Sequence, residues 1–219
     1  MPPELLEDLA QVAPNARIEV LYGSTEAEPI ASIGAAEVLG ETAAAERRGR
    51  GSCVGRPVPQ IELRVAPLGA RSGPPSEIGE ILVAGEHVNQ GYFEDPQADA
   101  SNKLREGSRI WHRTGDTGYL DERGRLWLVG RVHDMVGGLH PFMVEGRVDG
   151  LSWVIRSALV ALDEPVLAVC LGQGAPSGWA EELVASTGVS RVVQVDSIPL
   201  DPRHNAKIDR AALRARLQP

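Results

Sequence analysis

Residues 111–134 constrain the fold of this chain more than any other stretch. They contain two short runs typical of β-strands, at 119–120 and 126–129, separated by Asp-Glu-Arg-Gly. A glycine in so short a connection can take the left-handed conformation that a tight turn needs. The stretch therefore predicts a β-hairpin in the middle of the chain.

A charged residue lies at each end of this hairpin. Asp116 sits in a glycine-flanked turn before the first strand, and Arg131 follows Gly130 after the second. Antiparallel pairing brings the two together. A carboxylate accepts hydrogen bonds from a vicinal diol, and an arginine donates to ribose or phosphate oxygens, so the pair suits a nucleotide sugar. The alternative is structural, with Asp116 capping a turn and Arg131 a surface charge.

Residues 111–134 resemble the ribose-binding and hinge motifs of the adenylate-forming superfamily, which includes acyl-CoA synthetases, luciferases and adenylation domains. Three other stretches resemble motifs of that family in the same order. They are Tyr-Gly-Ser-Thr-Glu at 22–26, a strand motif at 79–85 with Gly-Tyr-Phe at 91–93, and residues 199–207, which end on a lysine. On these four motifs the chain is identified as the C-terminal portion of such an enzyme.

Residues 22–26 are expected to form half of a nucleotide site. The ring of Tyr22 can stack on a base, Thr25 can donate to a phosphate, and Glu26 can hold the Mg²⁺ that neutralises it. The resemblance implies those roles, with Tyr22 and Gly23 binding the nucleotide and Thr25 and Glu26 taking part in catalysis. We expect the segment at the carboxyl end of a strand in an open α/β sheet. A plain polar loop is the alternative.

Two further parts of the family machinery are implied beyond residue 130. Residues 131–134 match a hinge, with His133 or Asp134 as the pivot of a rotating C-terminal lid. The family usually has an acidic residue or lysine there, so His133 is either a plain substitution or a source of pH sensitivity. Lys207 matches the lysine that reaches the acyl carboxylate and α-phosphate as charge develops. We expect it at a helix start, where a cation opposes the helix dipole.

The sequence predicts an α/β (α+β) fold in two domains. Residues 1–130 would be the C-terminal part of a large AMP-binding domain, mainly an antiparallel β subdomain with a flanking α/β piece. Residues 131–219 would form a small α/β lid of alternating helices and strands. Residues 34–52 are interpreted as a surface excursion. The strand at 18–21 has no predicted sheet partner ahead of it, so its edge should favour pairing or self-association.

Composition narrows the class of function. The net charge of −8 argues against nucleic-acid binding. No apolar run approaches the roughly 20 residues that span a bilayer, and no signal pattern opens the chain, so we expect a cytoplasmic protein. Cys53 and Cys170 match no ligand spacing and are expected as reduced thiols. His87 and His112 are expected to pack or to face solvent.

Lysine is rare in this chain, which has only Lys103 and Lys207 among 22 basic residues. Function is one reason to keep a lysine where arginine is otherwise used, and Lys207 draws notice on that ground alone. Lys103 lies on a polar stretch with Asp95, Asp99 and Arg105. We interpret that stretch as a solvated face without a function.

The reaction that the resemblance implies has two steps. A carboxylate attacks the α-phosphorus of ATP to give acyl-AMP and pyrophosphate, and an acceptor such as CoA then displaces AMP. The implied ligands are ATP or AMP, Mg²⁺, CoA and a carboxylic acid. The family carries a Gly/Ser/Thr-rich phosphate loop upstream of the motif at 22–26, and this sequence has no such loop. We therefore expect the chain alone not to adenylate.

Three functions remain open, with a generic acyl-adenylating ligase ranked first. The stretches at 53–59, 111–116 and 203–208 resemble the olefin-biosynthesis β-lactone synthetase group and its fatty acyl-CoA ligase relatives. There an adenylated β-hydroxy fatty acid closes on its own hydroxyl, and this function ranks second. The third is a non-catalytic module, or the subunit of a split enzyme that pairs with a separate N-terminal half.

Overall fold

The computed structural model of the chain describes residues 3–68, 78–202 and 207–218. It divides into two compact units. The first, called the β unit here, comprises Met1–Ala45 and Gly51–Val132. The second, the C-terminal unit, comprises Glu46–Arg50 and His133–Pro219. Their correspondence to a catalytic domain and a moving lid remains a prediction.

Within the described ranges, the β unit contains eight strands in one sheet. They are β1 (Glu19–Ser24), β2 (Ala27–Gly34), β3 (Ser52–Pro57), β4 (Ile61–Ala66), β5 (Gly79–Gly85), β6 (Lys103–Glu106), β7 (Arg109–Leu120) and β8 (Leu126–Arg131). The order is β1-β2-β3-β8-β7-β5-β4, with β6 also pairing with β7, and the pairings are antiparallel. The predicted mixed α/β class is confirmed.

The hairpin predicted in the middle of the chain is formed by β7 and β8. Leu120 pairs with Leu126, and Gly124 turns the chain with a φ of 71°. The Asp121 carbonyl accepts from the Gly124 N–H at 2.8 Å, and the Asp121 N–H donates to the Arg125 carbonyl at 2.9 Å. Glycine at the left-handed position and the apolar runs on both sides specified this hairpin.

The segment 22–26 lies at the end of a strand, as expected, but the expected open α/β sheet is wrong, because β1 pairs antiparallel with β2. Its first three residues belong to β1, and Thr25 and Glu26 form a two-residue turn into the antiparallel strand β2. The chain folds straight back because so short a connection can only join antiparallel neighbours. Among the described residues β1 has β2 as its one sheet neighbour, so it lies at the edge as expected.

Residues 34–52 were interpreted as a surface excursion, and this is also wrong. The chain is helical from 35 to 46, through α2 (Ala35–Glu37), a π-helix (Val38–Thr42) and α3 (Ala43–Glu46). Val38, Thr42 and Ala45 are buried. Alanines bury a helix face without giving a strong apolar period, because their side chains are small enough for close packing.

A cluster of buried side chains supports the hairpin from one face of the sheet. Trp127 is 1% exposed and packs with Leu6, Ile33, Val38 and Cys53. Leu6 comes from α1 (Pro3–Val12), so the first helix closes this cluster. Burying a large aromatic side chain stabilises a fold by about 2–3 kcal/mol, so the cluster fixes β8 in place.

The described part of the C-terminal unit is a three-stranded sheet with helices. Its elements are α5 (Pro141–Asp149), β9 (Val154–Ala161), β10 (Pro165–Leu171), α6 (Trp179–Thr187), β11 (Arg191–Gln194) and α7 (Arg210–Leu217). The strand order is β11-β10-β9, with β10 antiparallel to β9 and parallel to β11. The central strand β10 has an unbroken apolar sequence, which is typical of a strand covered on both faces, and residues 166–169 are buried.

No helix in the described ranges is long and apolar enough to cross a membrane. The remaining helix of the β unit, α4 (Pro96–Asn102), begins at Asp95, whose side chain accepts from the Ala98 N–H at 2.8 Å. Asp95 is therefore the N-cap of this helix.

Candidate nucleotide site

Three of the predicted site residues meet at the end of the hairpin. Asp116 on β7 and Arg131 on β8 are direct cross-strand partners. The Arg131 Nε donates to Asp116 Oδ1 at 3.1 Å, and the Tyr22 hydroxyl donates to Asp116 Oδ2 at 2.7 Å. Each carboxylate oxygen has a second lone pair, so Asp116 can still accept from two further hydroxyls.

Local sequence explains why Asp116 faces this way. The Thr114 hydroxyl donates to the Ile81 carbonyl at 2.9 Å and accepts from the Asp116 N–H at 3.0 Å. Gly115 between them has a φ of 72°, a conformation that glycine adopts without strain. The Thr-Gly-Asp sequence therefore turns β7 locally and presents the carboxylate.

Tyr22 reaches Asp116 from the edge strand. A bulge at Gly23 shifts the register between β1 and β2, and a Cβ there would lie 2.7 Å from the Ala27 carbonyl oxygen. Burial and the Asp116 charge raise the pKa of Tyr22, so its hydroxyl stays protonated as a donor. The sequence suggested a ring for stacking on a base but not this hydrogen bond, which joins residues 94 positions apart.

Glu26 lies at the turn of the β1–β2 hairpin, beside the exposed Thr25. The Tyr92 hydroxyl donates to Glu26 Oε1 at 3.1 Å. Burial opposes ionisation of Glu26, but hydrogen bonding, which includes its own backbone N–H and the Tyr92 hydroxyl, outweighs that effect and lowers the pKa of the carboxyl. It is therefore a carboxylate at neutral pH.

A single carboxylate of this kind fits a Mg²⁺ ion held jointly with a nucleotide. Mg²⁺ is usually bound through one or two carboxylates together with substrate phosphates. Within the described ranges no three His, Cys, Asp or Glu side chains are grouped to hold a metal by themselves. Glu26 would thus share the ion with phosphate oxygens.

The interpretation of Lys103 as part of a solvated face is wrong. Its side chain is buried, because β6 pairs with β7 and places Lys103 opposite His112. His112 is also buried, in agreement with its expected packing. His87 is exposed, with Nε2 3.0 Å from the Pro29 carbonyl oxygen.

The predicted hinge residues differ in their surroundings. His133 is exposed, with Nε2 3.7 Å from Asp134 Oδ1. Asp134 is largely buried, and its Oδ2 lies 3.5 Å from the Nε of Arg210. Arg210 in turn donates to both carboxylate oxygens of Glu145, at 2.6 and 3.0 Å. Asp134 is thereby tied to the first turn of α7.

Lys207 is exposed and precedes α7 rather than starting it. Leu200 and Ile208 form a β-bridge, and the Lys207 carbonyl accepts from the Asp201 N–H at 2.8 Å. The helix begins at Arg210 because the side chain of Asp209 caps it. The predicted opposition to the helix dipole at Lys207 is therefore wrong, and residues 203–206 of the lysine motif lie outside the described residues.

Comparison with known proteins agrees with these motifs. The family model described as "AMP-binding enzyme" matches residues 1–93. The olefin β-lactone synthetase of Stenotrophomonas maltophilia is 36% identical over 246 residues, which cover 97% of this chain and 44% of that protein. The chain belongs to the AMP-binding enzyme family. Another relative, the indoleacetate–CoA ligase of Aromatoleum aromaticum, is 34% identical and covers 84% of this chain and 31% of that ligase.

Solved structures of two other enzymes have a similar fold. The amide bond synthetase of Marinactinospora thermotolerans is 26% identical, with a TM-score of 0.73 over 99% of this chain and 45% of that one. A benzoate CoA ligase from Burkholderia xenovorans is also 26% identical, with a TM-score of 0.74 over 98% of this chain and 43% of that ligase. The chain spans 44% of the length of the first curated relatives that it matches.

Proposed function

We propose that this chain is part of an ATP-dependent acyl-adenylating ligase, with the ribose of the nucleotide held at Asp116. The observation that supports this most is the convergence of Tyr22 and Arg131 on the two oxygens of that carboxylate. Two donors from separate strands fix the carboxylate in one orientation. A preorganised acceptor of this kind suits a vicinal diol, whose two hydroxyls need two acceptors at fixed spacing.

The other residues of the β unit would act on the phosphates. Arg131 is half exposed, and its terminal N–H groups can donate to ribose or phosphate oxygens. Thr25, exposed at the hairpin tip, would donate to a phosphate. Glu26 would hold Mg²⁺, which when bound neutralises charge on the phosphates.

We further propose that Lys207 stabilises the adenylation transition state, after rotation about His133 and Asp134. A mobile cation suits this step because negative charge develops on the α-phosphate as the carboxylate attacks. The exposure of Lys207 leaves its amine accessible for such a role. Without a phosphate loop, the chain alone is proposed to be inactive in adenylation.

The substrate proposed first is a carboxylic acid that passes to CoA or another acceptor. A second candidate is β-lactone formation from a β-hydroxy fatty acid, supported by two olefin β-lactone synthetases that are 36% and 34% identical over 97% of this chain. A third is a subunit that pairs with a separate N-terminal half or with itself. The edge strand β1 and its exposed Leu21 support that pairing.

Calorimetric titration of the chain with AMP tests the ribose site. We expect binding in the wild type, and a loss of about 10- to 100-fold in Asp116→Asn, because hydrogen bonds to a charged group contribute about 1.5–3 kcal/mol. Asp8→Asn makes the same chemical change at an exposed position of α1 and should bind normally. Equal affinities of the two variants would remove the basis of the proposal.

A further inference from the structure

A buried ammonium group lies next to the proposed metal-binding side of the site. Lys103 is 8% exposed, and its Nζ donates to the Asn89 carbonyl at 2.5 Å. The Nζ also lies 3.4 Å from His112 Nδ1 and 5.2 Å from the centre of the Tyr92 ring. A buried charge is costly unless it is well partnered, so a lysine kept in this position needs a reason.

The partners of Lys103 lead directly to Glu26. Asn89, which accepts from the ammonium, donates its own N–H to the Glu26 carbonyl at 2.7 Å. Tyr92, whose ring faces the ammonium, donates its hydroxyl to the Glu26 carboxylate. Lys103 therefore holds the two residues that fix the backbone and the side chain of Glu26.

The surroundings favour a lysine over the arginine used at nearly every other basic position. Burial and the Lys103 charge lower the pKa of His112, so the imidazole is neutral and its Nδ1 can accept from the ammonium. An ammonium is compact, whereas a guanidinium is a wide planar fork with five donors. The carbonyl, imidazole nitrogen and ring face that surround Nζ match the smaller group.

We propose that Lys103 is a positioning residue that holds Glu26, through Asn89 and Tyr92, in the orientation needed to bind Mg²⁺ beside the nucleotide phosphates. The metal-binding part of this inference rests on the proposed function. The coupling of Lys103 to Glu26 does not rest on the proposed function, because it follows from the contacts of Asn89 and Tyr92 within the β unit. The two parts can therefore be tested separately.

The coupling can be measured without any ligand, because the chain contains only two lysines. Protein labelled with ε-¹³C-lysine gives two ε signals, and Lys207→Arg identifies the one from the exposed site. We expect Glu26→Gln to move the Lys103 signal by more than its line width and to leave the Lys207 signal in place. Tyr92→Phe should also move it, whereas Glu28→Gln, an exposed change two residues from Glu26, should not.

The metal-binding part is tested by nucleotide affinity with and without Mg²⁺. In the wild type we expect ATP to bind more tightly in MgCl₂ than in EDTA. Lys103→Met should reduce that gain about fivefold or more, the loss expected for one misplaced hydrogen bond, while AMP affinity stays within about twofold. Tyr92→Phe should act the same way and serves if Lys103→Met does not fold.

Each result decides one of the two claims. A Lys103 signal that does not respond to Glu26→Gln overturns the positioning role, whatever the chain binds. If Mg²⁺ does not increase the ATP affinity of the wild type, or increases it equally in both variants, Lys103 has no connection to metal binding. A wild-type chain that binds no AMP refutes the proposed function instead, and the lysine spectra still decide the coupling.

Discussion

Replacing Arg210 with methionine tests how the C-terminal unit holds Asp134, the proposed hinge residue. Arg210 and Glu145 are both buried, and two hydrogen bonds join them. Arg210 also donates to the Leu159 carbonyl at 2.8 Å, while Glu145 accepts from the Leu159 N–H at the same distance. Removing one partner leaves the other charged and buried, so we expect the variant to lose about 3–5 kcal/mol of unfolding free energy.

The assay is hydrogen exchange in increasing urea, read by mass spectrometry on peptides from β9 and β10. Peptides from β7 and β8 serve as an internal control, since the change lies outside the β unit. Arg216→Met, an exposed change on the same helix, should cost less than about 0.5 kcal/mol. Glu145→Gln combined with Arg210→Met should cost less than the two single changes added together.

Two outcomes would refute this reasoning. One is a loss below about 1 kcal/mol in Arg210→Met, which is the range of solvent-exposed ion pairs. The other is strict additivity of the single and double variants, because residues in direct contact should be coupled. Either result would mean that Asp134 is not anchored through this buried pair.

Two more predictions concern stability. Gly23→Ala should destabilise the β unit by about 1–3 kcal/mol in urea unfolding, since the alanine Cβ would press on the Ala27 carbonyl oxygen. An unchanged midpoint of unfolding would contradict the described bulge. Asp149 is exposed as a whole residue, but local desolvation of its carboxyl beside the buried Ser157 raises its pKa from 3.8 to about 6, so the folded state binds the proton more tightly than the unfolded state. The resulting stabilisation is present below pH 3.8 and is lost as the pH rises through about 6. The unfolding free energy of Asp149→Asn should lack that dependence between about pH 4 and 6. Identical pH profiles of stability for the wild type and this variant would contradict the prediction.

The sequence predicted those features that depend on neighbouring residues. The β7–β8 hairpin followed from Gly124 and its apolar flanks. The pairing of Asp116 with Arg131 followed from the hairpin, because antiparallel register fixes which residues lie opposite each other. The central strand β10 followed from an unbroken apolar run.

The remaining features depend on contacts between distant parts of the chain. Lys103 is buried only because β6 pairs with β7, and nothing in its polar neighbourhood signals that pairing. Arg210 and Glu145 are 65 positions apart, so their bond has no local signature. Tyr22 was identified by its aromatic ring, but the partner of its hydroxyl becomes evident only once β1 folds beside the hairpin.

Strand β7 fixes the spacing between two parts of the proposed site. It carries His112, next to the lysine that supports the metal-side carboxylate, and Asp116, the proposed ribose acceptor. Four positions of the chain separate them, and the local turn at Gly115 lies between them. The span from sugar to phosphate in a nucleotide is also fixed, by its covalent bonds. Inserting one residue between positions 112 and 116 would change the spacing of these two side chains and disturb the turn that presents Asp116. We therefore expect the insertion to separate the proposed ribose acceptor from the support of the proposed metal ligand.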